Sequence, residues 1–170
     1  AEKRLSELSR TNPDFAPAKF ALGMLYDQRG NKKKAEQLYR EVLDLAENHT
    51  GAMNNLAYIY AENNGALQDA LVLSMRAFRN EPSNPAVLDT LGLVLLKNAR
   101  FTEATSILQK ATALMPEVAI IQVHLAQALI GEQKLDEAKR VLQHVIKMGS
   151  NSGSTPEVDQ ARRLLEQINN

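Results

Sequence analysis

The feature that most constrains the fold of this chain is an internal repeat with a period of about 34 residues. Both of its ladders slip by one residue between Ala57 and Ala70, in a stretch with the composition of a turn. A fixed period of this length indicates an array of similar units, none of which buries its apolar face alone. The ladders are formed by the Leu-Gly or Leu-Ala pairs that begin at Leu22, Leu56, Leu91 and Leu125, and by the alanines Ala1, Ala35, Ala70, Ala104 and Ala138.

Each block has the pattern of two helices joined by a short turn. In the first block, apolar residues at helical spacing precede Gly30, which ends a helix, and Asn31 is placed to cap the next one. In the third block, Asn84 is the predicted cap and Pro85 the first helical residue. Small side chains are needed where two helices cross closely. They recur midway along the first helix of each block, as Gly23, Ala57, Gly92 and Ala126.

This unit resembles the tetratricopeptide repeat, through its Leu-Gly-x-x-Tyr core at 22–26, a later alanine and a closing proline such as Pro116. It departs from the family pattern at Ser74, where a large residue is usual, and in having no tryptophan. The resemblance implies an all-α, right-handed α-α superhelix in which first helices line a concave face. We predict one domain over 1–170, with a half repeat at 1–15, four full repeats at 16–49, 50–84, 85–118 and 119–148, a linker at 149–155 and a capping helix at 156–170.

The residue types that usually carry chemistry form no catalytic set in this sequence. There is no cysteine, and the three histidines fall on different predicted elements with no carboxylate at metal-ligand spacing: His49 at a repeat junction, His124 on a first helix and His144 on a second helix. We therefore expect no enzymatic activity, no metal site and no cofactor. Twenty Lys and Arg balance twenty Asp and Glu, which disfavours nucleic acid as a partner. The basic run 32–34 is interpreted as a solvated helix face, with contact to a phosphate or an acidic partner as the alternative.

The resemblance to the repeat family also implies that side chains of the first helices bind the partner. The mapped positions are mainly apolar, with two acidic residues, Asp27 and Asp89, and no lysine or arginine. Phe20 and Leu93 are also candidates for packing between neighbouring helices. The predicted concave groove is lined by Phe20, Met24, Asp27, Asn54, Asn55, Tyr58, Asp89, Leu93, Leu96, Ile120, His124 and Gln127.

We accordingly predict a non-catalytic protein-binding scaffold that holds a peptide or an amphipathic segment. Asn54 and Asn55 would hold the ligand backbone, and a Lys or Arg of the partner would meet Asp27 or Asp89. Two alternatives stay open: the apolar strip is an assembly surface, covered by a second copy or by upstream repeats, or the array is the targeting part of a longer enzyme.

The compartment stays open between the cytoplasm and the bacterial periplasm. The runs 84–92 and 156–165 are similar to the C-terminal arrays of bacterial tetratricopeptide proteins of exopolysaccharide export, which implies an envelope setting. The sequence contains no apolar run near the roughly 20 residues that span a bilayer, so we expect no direct membrane insertion. It also contains no recognisable targeting signal.

Overall fold

A computed structural model describes residues 2–63, 65–150 and 155–169, and within them the chain is entirely helical and has no strand. No helix in this described part has the length and apolar character needed to cross a lipid bilayer. The all-α prediction is therefore confirmed. The helices are α1 Glu2–Thr11, α2 Ala16–Gln28, α3 Lys32–Leu45, α4 Thr50–Glu62, α5 Leu67–Asn80, α6 Pro85–Lys97, α7 Phe101–Leu114, α8 Ala119–Gly131, α9 Leu135–Ser150 and α10 Pro156–Gln167.

The helices form two compact units, Ala1–Glu81 and Pro82–Asn170. In the first unit, α2 packs on α3 and α4 on α5, while α1 contacts α2 and α3 contacts α4. In the second unit, α6 packs on α7 and α8 on α9, and α8 also contacts α6 and α7. The terminal helix α10 lies against α8 and α9. Within each unit this is the stacking of helix pairs that the repeat pattern predicts, whereas a single domain over 1–170 stays a prediction.

The turns between the two helices of each pair are short, and their lengths set the spacing of the repeat. Gly30 has a φ of 75°, which ends α2 in the left-handed region, and the Asn31 side chain caps α3 as expected. Ala99 and Gln133 adopt φ values of 57° and 62° at the corresponding turns, although neither is a glycine. Four residues of sequence separate the end of α4 from the start of α5, one more than within the other pairs, and this matches the frame slip.

Small residues allow the two helices of a pair to approach each other. A Cβ on Gly23 would lie 2.8 Å from the Tyr39 ring, and one on Gly92 would lie 2.4 Å from Cγ of Leu108. In the second pair, the position that corresponds to Tyr39 and Leu108 holds Ser74, which is buried. The departure from the family pattern at Ser74 is therefore a change of side-chain size inside the core and leaves the helix pair intact.

The structure differs from the predicted linker at its first residues, because α9 continues to Ser150. Gly149 is buried in this helix, and a Cβ there would lie 2.3 Å from Cγ2 of Val158. The glycine therefore permits close contact between α9 and α10. The remaining predicted linker residues 151–154 lie outside the described residues, as does the alanine at position 1. Thr155 caps α10, which buries Val158 in a core cluster with α8 and α9.

Candidate functional site

The predicted binding residues fall into two groups, one in each compact unit. Those of the first unit lie on α2 and α4 and comprise Phe20, Met24, Asp27, Asn54, Asn55 and Tyr58. Those of the second unit lie on α6 and α8 and comprise Asp89, Leu93, Leu96, Ile120, His124 and Gln127.

Phe20 is used for packing inside the first unit. Its ring centroid lies 5.8 Å from that of Tyr39 and 4.4 Å from that of His49. A Cβ on Gly51 would lie 2.7 Å from Cζ of Phe20, so the ring also covers the start of α4. His49 in turn caps α4, since its Nδ1 accepts a hydrogen bond from the backbone of Ala52 at 3.1 Å. These contacts support packing, the alternative that the sequence left open for Phe20; because the ring is only partly buried, its contact with a partner stays a prediction.

A chain of hydrogen bonds orients the side-chain amides of Asn54 and Asn55 on α4. Asn54 donates from Nδ2 to Oδ1 of Asn55 at 3.3 Å, and Asn55 donates from Nδ2 to the Tyr39 hydroxyl at 3.1 Å. Asn54 Oδ1 is enclosed and accepts no hydrogen bond from the described residues. Asn55 retains a second N–H and a second lone pair, because a carboxamide offers two donors and two acceptor sites. Asn55 is thus the better placed of the two asparagines to hold a peptide backbone.

Tyr39 gives this hydrogen-bond chain a testable pH dependence. Burial raises the pKa of Tyr39 from 10.0 to about 12, and the bond from Asn55 opposes the rise. The tyrosinate therefore forms more readily in the unfolded chain, so the stability from Tyr39 is complete below about pH 10 and is lost as pH rises toward 12. We expect the unfolding free energy of Tyr39→Phe to fall less than that of the wild type over this range. Urea unfolding at a series of pH values measures the two unfolding free energies. An equal decrease in both proteins would contradict the raised pKa of Tyr39.

A lysine that the sequence map omitted contacts two residues of the first group. Lys32, the first residue of α3, donates from Nζ to Oδ1 of Asp27 at 2.6 Å, and the same nitrogen lies 5.7 Å from the ring centroid of Tyr58. The two charged side chains meet because only the short turn 29–31 separates their helices. The Lys32 side chain is still 40% exposed, so it also lies on a solvated face, but the expectation of an acidic, cation-free surface here is wrong.

Five residues form a small accessible surface: four of the first group, without Phe20 and Asn54, together with Lys32. Met24 lies three residues before Asp27 on α2, and Asn55 lies three residues before Tyr58 on α4, so each pair shares a helix face. The side chain of Met24 is 38% exposed, and the other four are partly exposed. We call Met24, Asp27, Lys32, Asn55 and Tyr58 the α2–α4 surface.

In the second unit, the site residues His124 and Asp89 contact each other. Nδ1 of His124 lies 2.8 Å from Oδ1 of Asp89, and their side chains are 5% and 13% exposed. A carboxylate only accepts, so Nδ1 carries the hydrogen of this bond. The sequence placed no carboxylate near a histidine because the two are 35 residues apart. The repeat frame could have indicated this contact, because Asp89 and His124 lie on the first helices of consecutive repeats. Asp89 is thus already paired with His124, and its contact with a partner cation stays a prediction.

The remaining predicted residues of the second unit differ in exposure. Leu93 is only 2% exposed and belongs to the core, so its assignment to a partner surface is corrected to packing, which the sequence had left open. Leu96, Ile120 and Gln127 are half-buried and keep part of their side chains accessible. Their role in binding stays a prediction.

Glu132 and His144 are two further titratable residues outside these groups. Glu132 accepts a hydrogen bond from Thr102 at 3.3 Å and pairs with Lys134 at 2.9 Å. His144 is exposed on α9. Within the described ranges, no three His, Asp or Glu side chains are gathered closely enough to hold a metal ion.

Comparison with known proteins identifies the repeat. Family models described as the tetratricopeptide repeat match residues 16–49 and 95–153. A curated relative, TPR repeat-containing protein PA4667 of Pseudomonas aeruginosa, is 24% identical over 132 residues. That alignment covers 78% of this chain and 21% of the relative, so the chain spans about a fifth of the relative's length.

Solved structures with the same fold include the fragment of MamA from residue 41 onward from Desulfovibrio magneticus RS-1. It has a TM-score of 0.74 at 19% identity, with 89% of this chain and 85% of that chain covered. YrrB, described as a TPR protein with an unusual peptide-binding site, has a TM-score of 0.70 at 18% identity and coverages of 99% and 93%. PilF of Pseudomonas aeruginosa has a TM-score of 0.70 at 24% identity and coverages of 91% and 69%.

These matches do not bear on the predicted likeness to exopolysaccharide-export proteins, which stays a prediction. The family models fall in both units: one covers α2 and α3, and the other extends from the end of α6 through α9. The chain therefore carries tetratricopeptide repeats in each of its two units and has the helical-repeat fold of tetratricopeptide repeat proteins.

Proposed function

We propose that the chain is a non-catalytic scaffold that binds a peptide or an amphipathic segment of another protein. Its repeats and fold point to protein–protein interaction, and YrrB, which shares this fold, is described as having a peptide-binding site. The observation that carries the proposal is the α2–α4 surface. It combines an exposed Met24 and the aromatic ring of Tyr58 with an Asn55 amide that the buried Tyr39 hydroxyl holds in place.

Each group on this surface has a part that suits a peptide. Asn55 offers an oriented donor and acceptor for a main-chain amide, which an extended segment needs on binding. Met24 adapts its shape to different side chains, and Tyr58 offers a large rigid contact area. Because Asp27 and Lys32 neutralise each other, the partner is bound through apolar contact and backbone hydrogen bonds rather than through net charge.

The test compares two methionines of similar exposure. Met24 is 38% exposed and Met115, in the second unit, is 44% exposed. We expect Met24→Ala combined with Tyr58→Ala to weaken a peptide selected on the wild-type protein by about tenfold or more, because large central side chains carry most binding energy. Met115→Ala should leave the affinity unchanged. Fluorescence anisotropy with the labelled peptide measures both, and equal affinities for all three proteins would refute the proposal.

Self-association through the same surface is the alternative, and it is tested by a separate measurement on the same proteins. It requires light scattering to give a mass that rises with concentration for the wild type and stays monomeric for the double variant.

A narrower proposal places the partner in the bacterial envelope. It rests on the similarity of the runs 84–92 and 156–165 to exopolysaccharide-export proteins.

A further inference from the structure

The arrangement of Asp27, Lys32 and Tyr58 has the form of an occupied cation site. A carboxylate beside an aromatic face is a favourable environment for an ammonium or guanidinium group, through a charge-assisted hydrogen bond and a cation–π contact. Here the ammonium group belongs to the chain itself, with Nζ of Lys32 at 2.6 Å from Oδ1 of Asp27 and 5.7 Å from the ring centroid of Tyr58. A partner that presents a cation to this place meets a position already filled.

We propose that Lys32 is a specificity-determining residue that excludes basic side chains from the α2–α4 surface. The partner then places an uncharged side chain over Asp27 and Tyr58. This inference rests on the proposed function, since it concerns the same surface. It replaces the expectation from sequence that a partner Lys or Arg meets Asp27.

Tethering makes Lys32 an effective competitor. Its helix starts only a short turn after α2 ends, so the ammonium group is held near the carboxylate at an effective concentration in the millimolar range or above. A partner's lysine must displace this group and gains no new type of contact by doing so. An uncharged side chain makes its contacts without breaking the pair. The net result is a preference against basic partners that needs no repulsive residue elsewhere.

The neighbouring lysines supply a matched control. Lys33 is exposed, and Nζ of Lys34 lies 4.8 Å from the ring centroid of Tyr26. Of the run 32–34, Lys32 is therefore the lysine placed over both Asp27 and Tyr58. Lys32→Gln and Lys33→Gln remove the same charge from adjacent residues. Only the first leaves the Asp27 carboxylate and the Tyr58 ring without the ammonium group.

The experiment selects peptides from one random phage-displayed library on the wild type, Lys32→Gln and Lys33→Gln. We expect binders of Lys32→Gln to be enriched in Lys and Arg, and binders of the other two proteins to lack this enrichment. A synthetic peptide from the Lys32→Gln selection is then compared with its copy in which norleucine replaces the enriched lysine. Lys32→Gln should favour the lysine form by about tenfold, or about 1.4 kcal/mol, whereas the wild type should favour the norleucine form.

The outcomes separate this inference from the proposed function. An equal lysine preference in all three proteins, with peptides still bound through Met24 and Tyr58, would overturn the role of Lys32 alone. Failure of every protein to select a peptide would overturn both proposals. Lys32→Arg keeps a cation in place and should exclude basic peptides as the wild type does, so loss of exclusion in this variant also counts against the inference. Circular dichroism of each variant confirms that the helices are intact.

Discussion

Gly92→Ala is expected to lower the free energy of unfolding of the second unit by about 1–3 kcal/mol, the usual effect of overpacking a core. A Cβ at this position would lie 2.4 Å from Cγ and 2.5 Å from Cδ2 of Leu108. Leu108 is fully buried, so the added methyl group requires a shift of this side chain or of the helices α6 and α7 within the core. Alanine favours a helix over glycine by only about 1 kcal/mol, which is too little to compensate for a clash in a closed core.

A second substitution tests whether the clash is the cause. In Gly92→Ala with Leu108→Ala, the added methyl group occupies part of the space that the leucine leaves, so the double variant should lose less than the sum of the single losses. Gly65→Ala is the steric control, because a Cβ there meets only the Tyr60 carbonyl oxygen at 3.8 Å. Hydrogen exchange of the α6 and α7 amides measures the effect within this unit. Additive losses would show that Leu108 is not the obstacle.

The elements of this fold that were predictable are those fixed by local chemistry. The caps Asn31, Asn84 and Thr155 act within three residues of their own position, so a single segment of sequence reveals them. The left-handed φ of Ala99 is imposed on an alanine by the helices on either side of it, so no residue type marks it. The prediction of a linker that begins at Gly149 failed because packing against another helix, and not the local sequence, sets the structure there. A serine- and glycine-rich run looks the same whether it is a linker or a close helix contact, and only the position of Val158 distinguishes them.

The candidate site was predictable to the level of the helix but not of the side chain. The repeat frame placed the predicted binding residues on first helices, and Met24, one of them, is accessible. Periodicity defines a face of one helix and says nothing of what a neighbouring helix brings to it. Lys32 was missed because it begins a second helix, and Leu93 was misplaced because α6 is covered on more than one side. Asp27 was expected to be an open acidic group, and the side chain of another helix neutralises it.

His124→Ala is expected to produce the other large loss of stability, about 3 kcal/mol of unfolding free energy, as is found when one member of a buried pair is removed. The Asp89 carboxylate is 13% exposed and lies between the packed helices α6 and α8. Without Nδ1 of His124 at 2.8 Å, it keeps its desolvation cost and loses the donor that offsets it. His144→Ala provides the matched control, since that histidine is exposed on α9 and should change stability by no more than about 0.5 kcal/mol.

The double variant Asp89→Ala with His124→Ala decides whether the pair itself is responsible. Once the carboxylate is gone, the loss of the imidazole leaves no unpaired charge, so the double variant should be markedly more stable than the sum of the single losses predicts, by about 1–3 kcal/mol. Urea unfolding of the wild type, both single variants and the double variant gives this coupling directly. Additive losses would mean that each side chain contributes by packing alone, and that the contact between α6 and α8 owes nothing to their hydrogen bond.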